Sequence, residues 1–477
     1  MSGETEADRR ARYLRVNRYD QVAEWLDTIE RFTAGNENDR TREYALSQMS
    51  WLDPVDPADP AHPDNMLDTI GRQLLESMTR YGIDPAPFAS LRIIGTAHTD
   101  VTAQLNQYGD GSALIMVSDA VFVALNMFCR FTTIGIAPAV VPEVFKRLRY
   151  LRRASKRGSV FEDEDIISWI LRYYLIGQRL EGSGGQIILF LNPREEQIFN
   201  ALYASAIRFV IAHELAHRAL RHSPERAGFG PGVEVPACSP DQRRELEADW
   251  LALRVVLDDW RRQIAGPANL VQDMEVFSVL GIVSSLLTLH TIEKAVFVRN
   301  GHTHPSAEVR GSQVLKMAHP FAASIVSLFL PSLQRIADRA STFDEMAALL
   351  DWPRIKAGPY DIDRDMPRDH VEFARYLDAA QCMPRNELLA RLQRSGPAIA
   401  NGSTCLRDGR LREGLRAWNL EEADIEAIVD PSQALTFHSL VEAVRDGWKR
   451  LPLTDPLRDD ASIAAASLIV ENLRADN

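Results

Sequence analysis

Cysteine is scarce: Cys129, Cys238, Cys382 and Cys405 are the only four in 477 residues, and no two form a C-x-x-C pair. Thiols so scattered do not make a disulfide framework, and a reducing, cytoplasmic setting is expected. The amino terminus, Met1 to Arg10, has no apolar signal core, so export by a standard signal is not expected. Long hydrophobic runs are also missing. The most apolar stretch, Val276 to Leu289, falls short of the roughly 18 to 20 residues that cross a bilayer. Val121 to Val144 is broken by Arg130, Pro138 and Pro142, and no membrane partner is expected. Finally, an excess of positive charge is absent. A net charge of -12 argues against a nucleic-acid binder, which needs a basic surface to track phosphates. The basic run from Arg147 to Arg157 is local and reads as a solvated helix face.

Glycine-rich loops with nucleotide chemistry are lacking as well. Gly182 to Gly185 precedes a strand-like run instead of a helix, and Gly228 to Gly232 contains Pro231 and follows no strand. Arginine exceeds lysine, a bias associated with GC-rich genomes and hence with a bacterial origin.

Apolar content is ample. At 45% hydrophobic residues, a chain of this length supports two or three domains. Residues 1–52 carry helical periodicity in Val22, Trp25, Leu26, Ile29 and Phe32. A Pro/Asp-rich linker follows over 53–64, which blocks helix and sheet alike. The main domain is expected over 65–332, and a helical region without metal or nucleotide signature over 333–477. Its helices either recognise a substrate or protein partner or serve packing alone. The expected fold class is α+β, mostly helical.

Chemistry concentrates at His213-Glu214-Leu215-Ala216-His217. Residues four apart share one face of a helix, so both imidazoles can meet one Zn²⁺, with Glu214 beside them to take a proton from a zinc-bound water. The setting predicts a long core helix. Asn192-Pro193-Arg194-Glu195 reads as a capping box with proline in the first turn, and Ile198, Leu202, Ile207, Ile211, Leu215 and Ala219 recur at helical spacing. The bland alternative is a pair of satisfied core histidines.

A second helix is expected from Ser239-Pro240-Asp241-Gln242, after a Pro- and Gly-rich loop over 223–238. Glu245 and Asp249 lie one turn apart on it. Glu245 can complete a two-His, one-Glu zinc site with an open position for water, and Asp249 can orient one of the imidazoles. Otherwise the pair belongs to a solvated acidic face near Arg243 and Arg244. Cys238 is the competing candidate for third ligand, and a small buried thiol is its default reading.

These motifs resemble those of the gluzincin zinc peptidases that include the HtpX and CAAX-prenyl-protease groups. The likeness rests on His213 to His217, on Glu245-Leu246-Glu247-Ala248-Asp249-Trp250-Leu251-Ala252, and on His304-Pro305-Ser306-Ala307-Glu308-Val309-Arg310, in the family's order. It implies a zincin-like domain with a small β-sheet. It also implies His213, His217 and Glu245 as zinc ligands, Glu214 as general base and Asp249 as their supporting partner. His304 either donates to an oxyanion or occupies the open zinc position; equally, it starts a helix before Pro305. Arg310 is a candidate to pair with a carboxylate near the site.

Three strands are expected upstream, at 91–94, 101–108 and 112–118, the last two joined by a tight turn at Tyr108-Gly109-Asp110-Gly111. Related zincins pair an edge strand with substrate backbone, and Ser112 to Ser118 or its hairpin partner is the candidate. Gly184 to Leu191 is a further strand candidate. Between hairpin and metal helix lies a long, mostly helical stretch, about Val121 to Leu180, which departs from the family. The leading function is therefore a zinc endopeptidase acting on a protein or peptide. The competing one is a non-catalytic regulatory or scaffold protein retaining the same fold.

Overall fold

The computed structural model describes residues 4–15, 63–96, 103–140, 145–146, 148–150, 152, 191–222, 240–264, 268–299, 305–340, 396–430, 433, 435–451 and scattered positions from 458 to 473. Over them the chain is α+β and mostly helical, with a small three-stranded sheet. The Pro/Asp-rich linker up to residue 62, most of the Gly184 to Leu191 run, the 223–238 loop, Cys238, Cys382 and His304 lie outside the described residues, while Pro63 and Asp64, expected in the linker, already belong to a helix.

The sheet has the order β1-β3-β2, from Leu91–Thr96 (β1), Ala103–Gln107 (β2) and Ala113–Ser118 (β3). β2 and β3 form the expected antiparallel hairpin, with Leu105 opposite Ile115. Gly111, at φ 81, supplies the left-handed turn that an Asp-Gly step favours. β1 pairs with β3 in parallel, from Leu91 opposite Ala113 to Thr96 opposite Ser118. This places 112–118 at the centre of the sheet, with both backbone edges engaged, so that segment cannot receive a substrate strand. Its hairpin partner β2 stands at the edge among the described strands, and that edge can.

Period-two alternation gives the sheet two buried faces. Ile93, Ile115 and Val117 enter the main core, whereas Ile94 and Leu114 meet Ala7 and Ala11 of a helix over 6–15 (α1). Thr5 and Asp8 cap α1 reciprocally, since Asp8 N–H donates to Thr5 Oγ1 at 3.2 Å and Thr5 N–H to Asp8 Oδ2 at 3.2 Å. The next orphan donors go to the hairpin: Glu6 N–H to Asp110 Oδ2 at 2.8 Å, Ala7 N–H to Ser112 Oγ at 3.1 Å.

A pH window follows. The bonds from Glu6 N–H and Ser112 pull the Asp110 carboxyl down to about 2. Burial alone would raise that of Asp8, but bonds from Thr5 and the Arg92 guanidinium, 2.7 Å away, leave it lowered. A depressed folded-state pKa contributes stability that is present above the unfolded value, near 4, and is lost as pH falls through the folded one. Protection of the amides over residues 6–15, taken relative to their intrinsic exchange rate at each pH, is therefore expected to fall between about pH 4 and pH 2, ahead of the core helices. Unchanged protection down to pH 2 would contradict this docking.

The main core is helical. Pro63–Arg80 (α2) covers β1, and Asp119–Ile136 (α3) leaves β3 through Ser118, whose hydroxyl accepts from Val121 N–H at 3.3 Å. Pro193–His222 (α4) runs through the centre, flanked by Pro240–Gln263 (α5) and Ala268–Val296 (α6). The start of α4 is the expected capping box: Asn192 Oδ1 accepts from Arg194 and Glu195 N–H at 3.1 Å each, and Glu195 Oε2 accepts from Asn192 N–H at 2.9 Å. α6 approaches α4 so closely that a Cβ on Gly281 would stand 2.4 Å from Leu202 O. Glycine is required at that crossing.

The apolar run at Val276 to Leu289 continues as helix on both sides, so Val271–Thr291 reaches the length and apolarity of a membrane span, as does Pro320–Arg339; 72% of the former is enclosed by the protein's own core. Ala307–Met317 (α7) and Pro320–Ala340 (α8) complete this layer. Pro331 does not end α8. The helix passes the expected limit at residue 332, and Leu333, Ile336 and Ala337 join the main core.

A second core gathers Pro397–Arg407 (α9), Leu411–Ala417 (α10), Glu422–Val429 (α11) and Phe437–Trp448 (α12) around Trp418 and Trp448, stacked edge to face at 5.3 Å. It is joined to the first by a short antiparallel pair, Phe297–Arg299 (β4) with Leu435–Thr436 (β5). Cys129 and Cys405 are free and buried, and burial pushes the Cys129 thiol far up, the behaviour of a small apolar side chain.

Candidate metal centre

The helical repeat of α4 sets His213 and His217 one above the other, their rings 4.6 Å apart and nearly perpendicular. The Nε2 atoms approach to 3.0 Å. α5 packs beside α4 through fully buried Ala248 and Ala252, small enough to bring Glu245 across the gap. Its carboxylate oxygens stand 3.2 Å from His213 Nε2 and 3.3 Å from His217 Nε2. Among the described residues this is the group whose donors converge closely enough to hold a metal ion.

The spacing fits an ion. Ligands about 2.0 to 2.1 Å from a tetrahedral zinc lie about 3.3 Å apart; the two Nε2 atoms are 3.0 Å apart, Glu245 reaches each through a different oxygen, and one donor atom from each residue lies within 4.8 Å of the other two. The donor set, two imidazole nitrogens and a carboxylate oxygen, is one that zinc accepts. His217 is the partly exposed member, whereas His213 and Glu245 are buried, so one side of the cluster faces outward.

Behind the cluster, His213 Nδ1 lies 2.9 Å from Asp249 Oδ1. Asp249 is fully buried, and Arg310 of α7 grips it with two bonds, Nε to Oδ2 and Nη2 to Oδ1, each 2.8 Å. Burial would raise the Asp249 carboxyl, but the Arg310 guanidinium and the His213 bond hold it near 2. Burial alone would depress His213, yet its bonds to Asp249 and Glu245 lift it to about 9. For Glu245, bonds from both imidazoles outweigh burial and drive the carboxyl well below its usual range. Glu214 behaves oppositely. Burial among its neighbours raises its pKa, only partly offset by the two histidines. Of the two carboxylates beside the cluster, one is held as an anion by its bonds to both imidazoles and the other is shifted upward by burial.

The structure thus brings together His213, His217, Glu245, Asp249 and Arg310, with Glu214 adjacent on α4. Glu247 turns away to Arg243, 3.1 Å distant. Pro305 and the Ser306 cap of α7 follow His304 directly, Ser306 Oγ accepting from Val309 N–H at 3.4 Å.

Arg218 escaped the sequence reading. It lies one residue past His217, is only 4% exposed, and donates to Pro87 O at 2.8 and 2.6 Å and to Gly111 O at 2.9 Å. Its signal was its position, seven residues after Ile211 and three after Leu215, on the buried side of α4 where a charge is unexpected.

Comparison with known proteins agrees in location. The family model described as Peptidase U49 matches residues 186–327, the span from the approach to α4 into α8. Over that stretch the chain resembles a peptidase. No curated protein and no solved structure matches the chain.

Proposed function

We propose that this chain is a zinc-dependent endopeptidase of zincin-like fold that cleaves a protein or peptide substrate in the cytoplasm, with zinc held by His213, His217 and Glu245. The convergence of one donor from each of these three residues to within 4.8 Å of one another, inside the span similar to a peptidase family, carries the reading. The motif likeness to the gluzincins supports it further. When bound, zinc supplies Lewis acidity, polarising the scissile carbonyl and bringing the pKa of a coordinated water to roughly 7.

The chain's residues divide the remaining work. Asp249 accepts the Nδ1 proton of His213, fixing the tautomer that leaves Nε2 free to ligate. Arg310 keeps Asp249 anionic and in register. Glu214 serves as general base, its raised pKa suiting a group that takes a proton and returns it to the leaving amine. The exposed edge of β2, packed against α4, offers backbone donors and acceptors to an extended substrate. Three protein ligands with one side open, beside a spare carboxylate, suit catalysis better than a purely structural zinc site, which ordinarily has four protein ligands.

Elemental analysis tests the metal. Purified protein is expected to hold one zinc per chain, and Glu245→Ala to lose most of it under the same dialysis, because a site with two remaining ligands binds far more weakly. Full occupancy in Glu245→Ala would remove Glu245 from the ligand set.

A further inference from the structure

The sheet needs a fixed distance from the metal helix if β2 is to present substrate to it, and one buried side chain spans that gap. We propose that Arg218 is a positioning residue, the strut that locks the substrate-side end of the sheet to α4; the substrate side of this statement rests on the peptidase reading above.

Pro87 lies in the 3₁₀ turn Ala86–Phe88 just before β1, and Gly111 in the turn between β2 and β3. Because β1 and β3 run parallel and start side by side, Leu91 opposite Ala113, these two carbonyls mark one end of all three strands. Arg218 collects both with one planar guanidinium, through three bonds of 2.6 to 2.9 Å. A buried cation facing neutral carbonyls is a costly way to fill space that a methionine would fill more cheaply. What the guanidinium adds is direction: its fixed fork sets the spacing and angle of two backbone segments at once.

The same turn is held from its other side. Asp110 and Ser112 flank Gly111 and take the first free N–H groups of α1. The hairpin tip therefore sits between the amino-terminal helix and the residue that follows His217. Loosening either grip frees β2 without touching a metal ligand.

Amide hydrogen exchange on the full-length, zinc-loaded protein tests this, comparing wild type, Arg218→Met and Arg218→Lys. Arg218→Met is expected to speed exchange over 103–112 by at least tenfold while α4 protection and zinc content stay at wild-type levels. Arg218→Lys, which keeps stem and charge but loses the fork, is expected to fall between the two. A second readout uses an internally quenched decapeptide and a blocked dipeptide. KM for the decapeptide should rise about tenfold in Arg218→Met, with dipeptide hydrolysis unchanged. Wild-type exchange over 103–112 in both variants would overturn the proposal, as would an equal loss on both substrates. If Arg218→Met does not fold, the lysine variant decides alone. If wild type cleaves neither substrate, the peptidase reading fails and the exchange data still judge the strut.

Discussion

Glu214→Gln is expected to keep its zinc and to lose peptide cleavage by a factor on the order of 10² to 10⁴, the usual weight of a positioned general base. The amide preserves the shape of the side chain and leaves the three ligating donors untouched, but it cannot accept a proton. Two carboxylates approach the same pair of imidazoles, and their environments push them apart: Glu245 is bonded to both rings and held anionic, whereas burial raises Glu214. In the proposed mechanism that separation suits ligation by one and proton transfer by the other. The pair of measurements is zinc content and turnover on one substrate. Wild-type turnover in a metal-replete variant would exclude Glu214 from the chemistry.

The second large effect concerns Arg310. Removing it as Arg310→Met leaves the fully buried Asp249 with only the His213 imidazole among its bonds described here. An ion pair broken from one side in the interior typically costs about 3 to 5 kcal/mol. The unfolding midpoint of the metal-free protein should drop by on the order of 10 °C. The double variant Arg310→Met/Asp249→Asn should recover part of that loss, since an amide needs no counter-charge. Such recovery separates an uncompensated charge from mere loss of packing. A single variant as stable as wild type would show that the pair contributes little. Metal affinity should fall with it, because Asp249 then no longer holds the His213 tautomer firmly.

Much of the site was legible because its logic is local. The capping box at Asn192, the unbroken apolar stripe from Ile198 to Ala219, and the four-residue step between the histidines all lie on one helix. Glu245 and Asp249 repeat the same step on the next. Strand alternation marked all three strands within a few residues. What the sequence did not disclose is what depends on pairing across distance. The parallel contact of β1 with β3, which moves Ser112 to Ser118 from the edge to the centre, follows from packing on α2 and α3 and leaves no trace in the hairpin's own residues. Packing of α1 over Ile94 and Leu114 is likewise invisible, since Ala7 and Ala11 are too small to announce a buried face. Arg218 was readable in principle as a charge on an apolar stripe, but its partners are backbone carbonyls, which no side-chain pattern encodes. The domain limit expected at residue 332 fell short for the same reason: α8 carries Pro331 within a helix whose buried side continues to Ala337.

The most direct test of metal-dependent proteolysis is a map of new protein amino termini in cells expressing wild type against cells expressing Glu214→Gln at equal levels. The account predicts a defined set of internal cleavage sites present with wild type and absent with the variant. Identical maps, with both proteins zinc-loaded and folded, would contradict it.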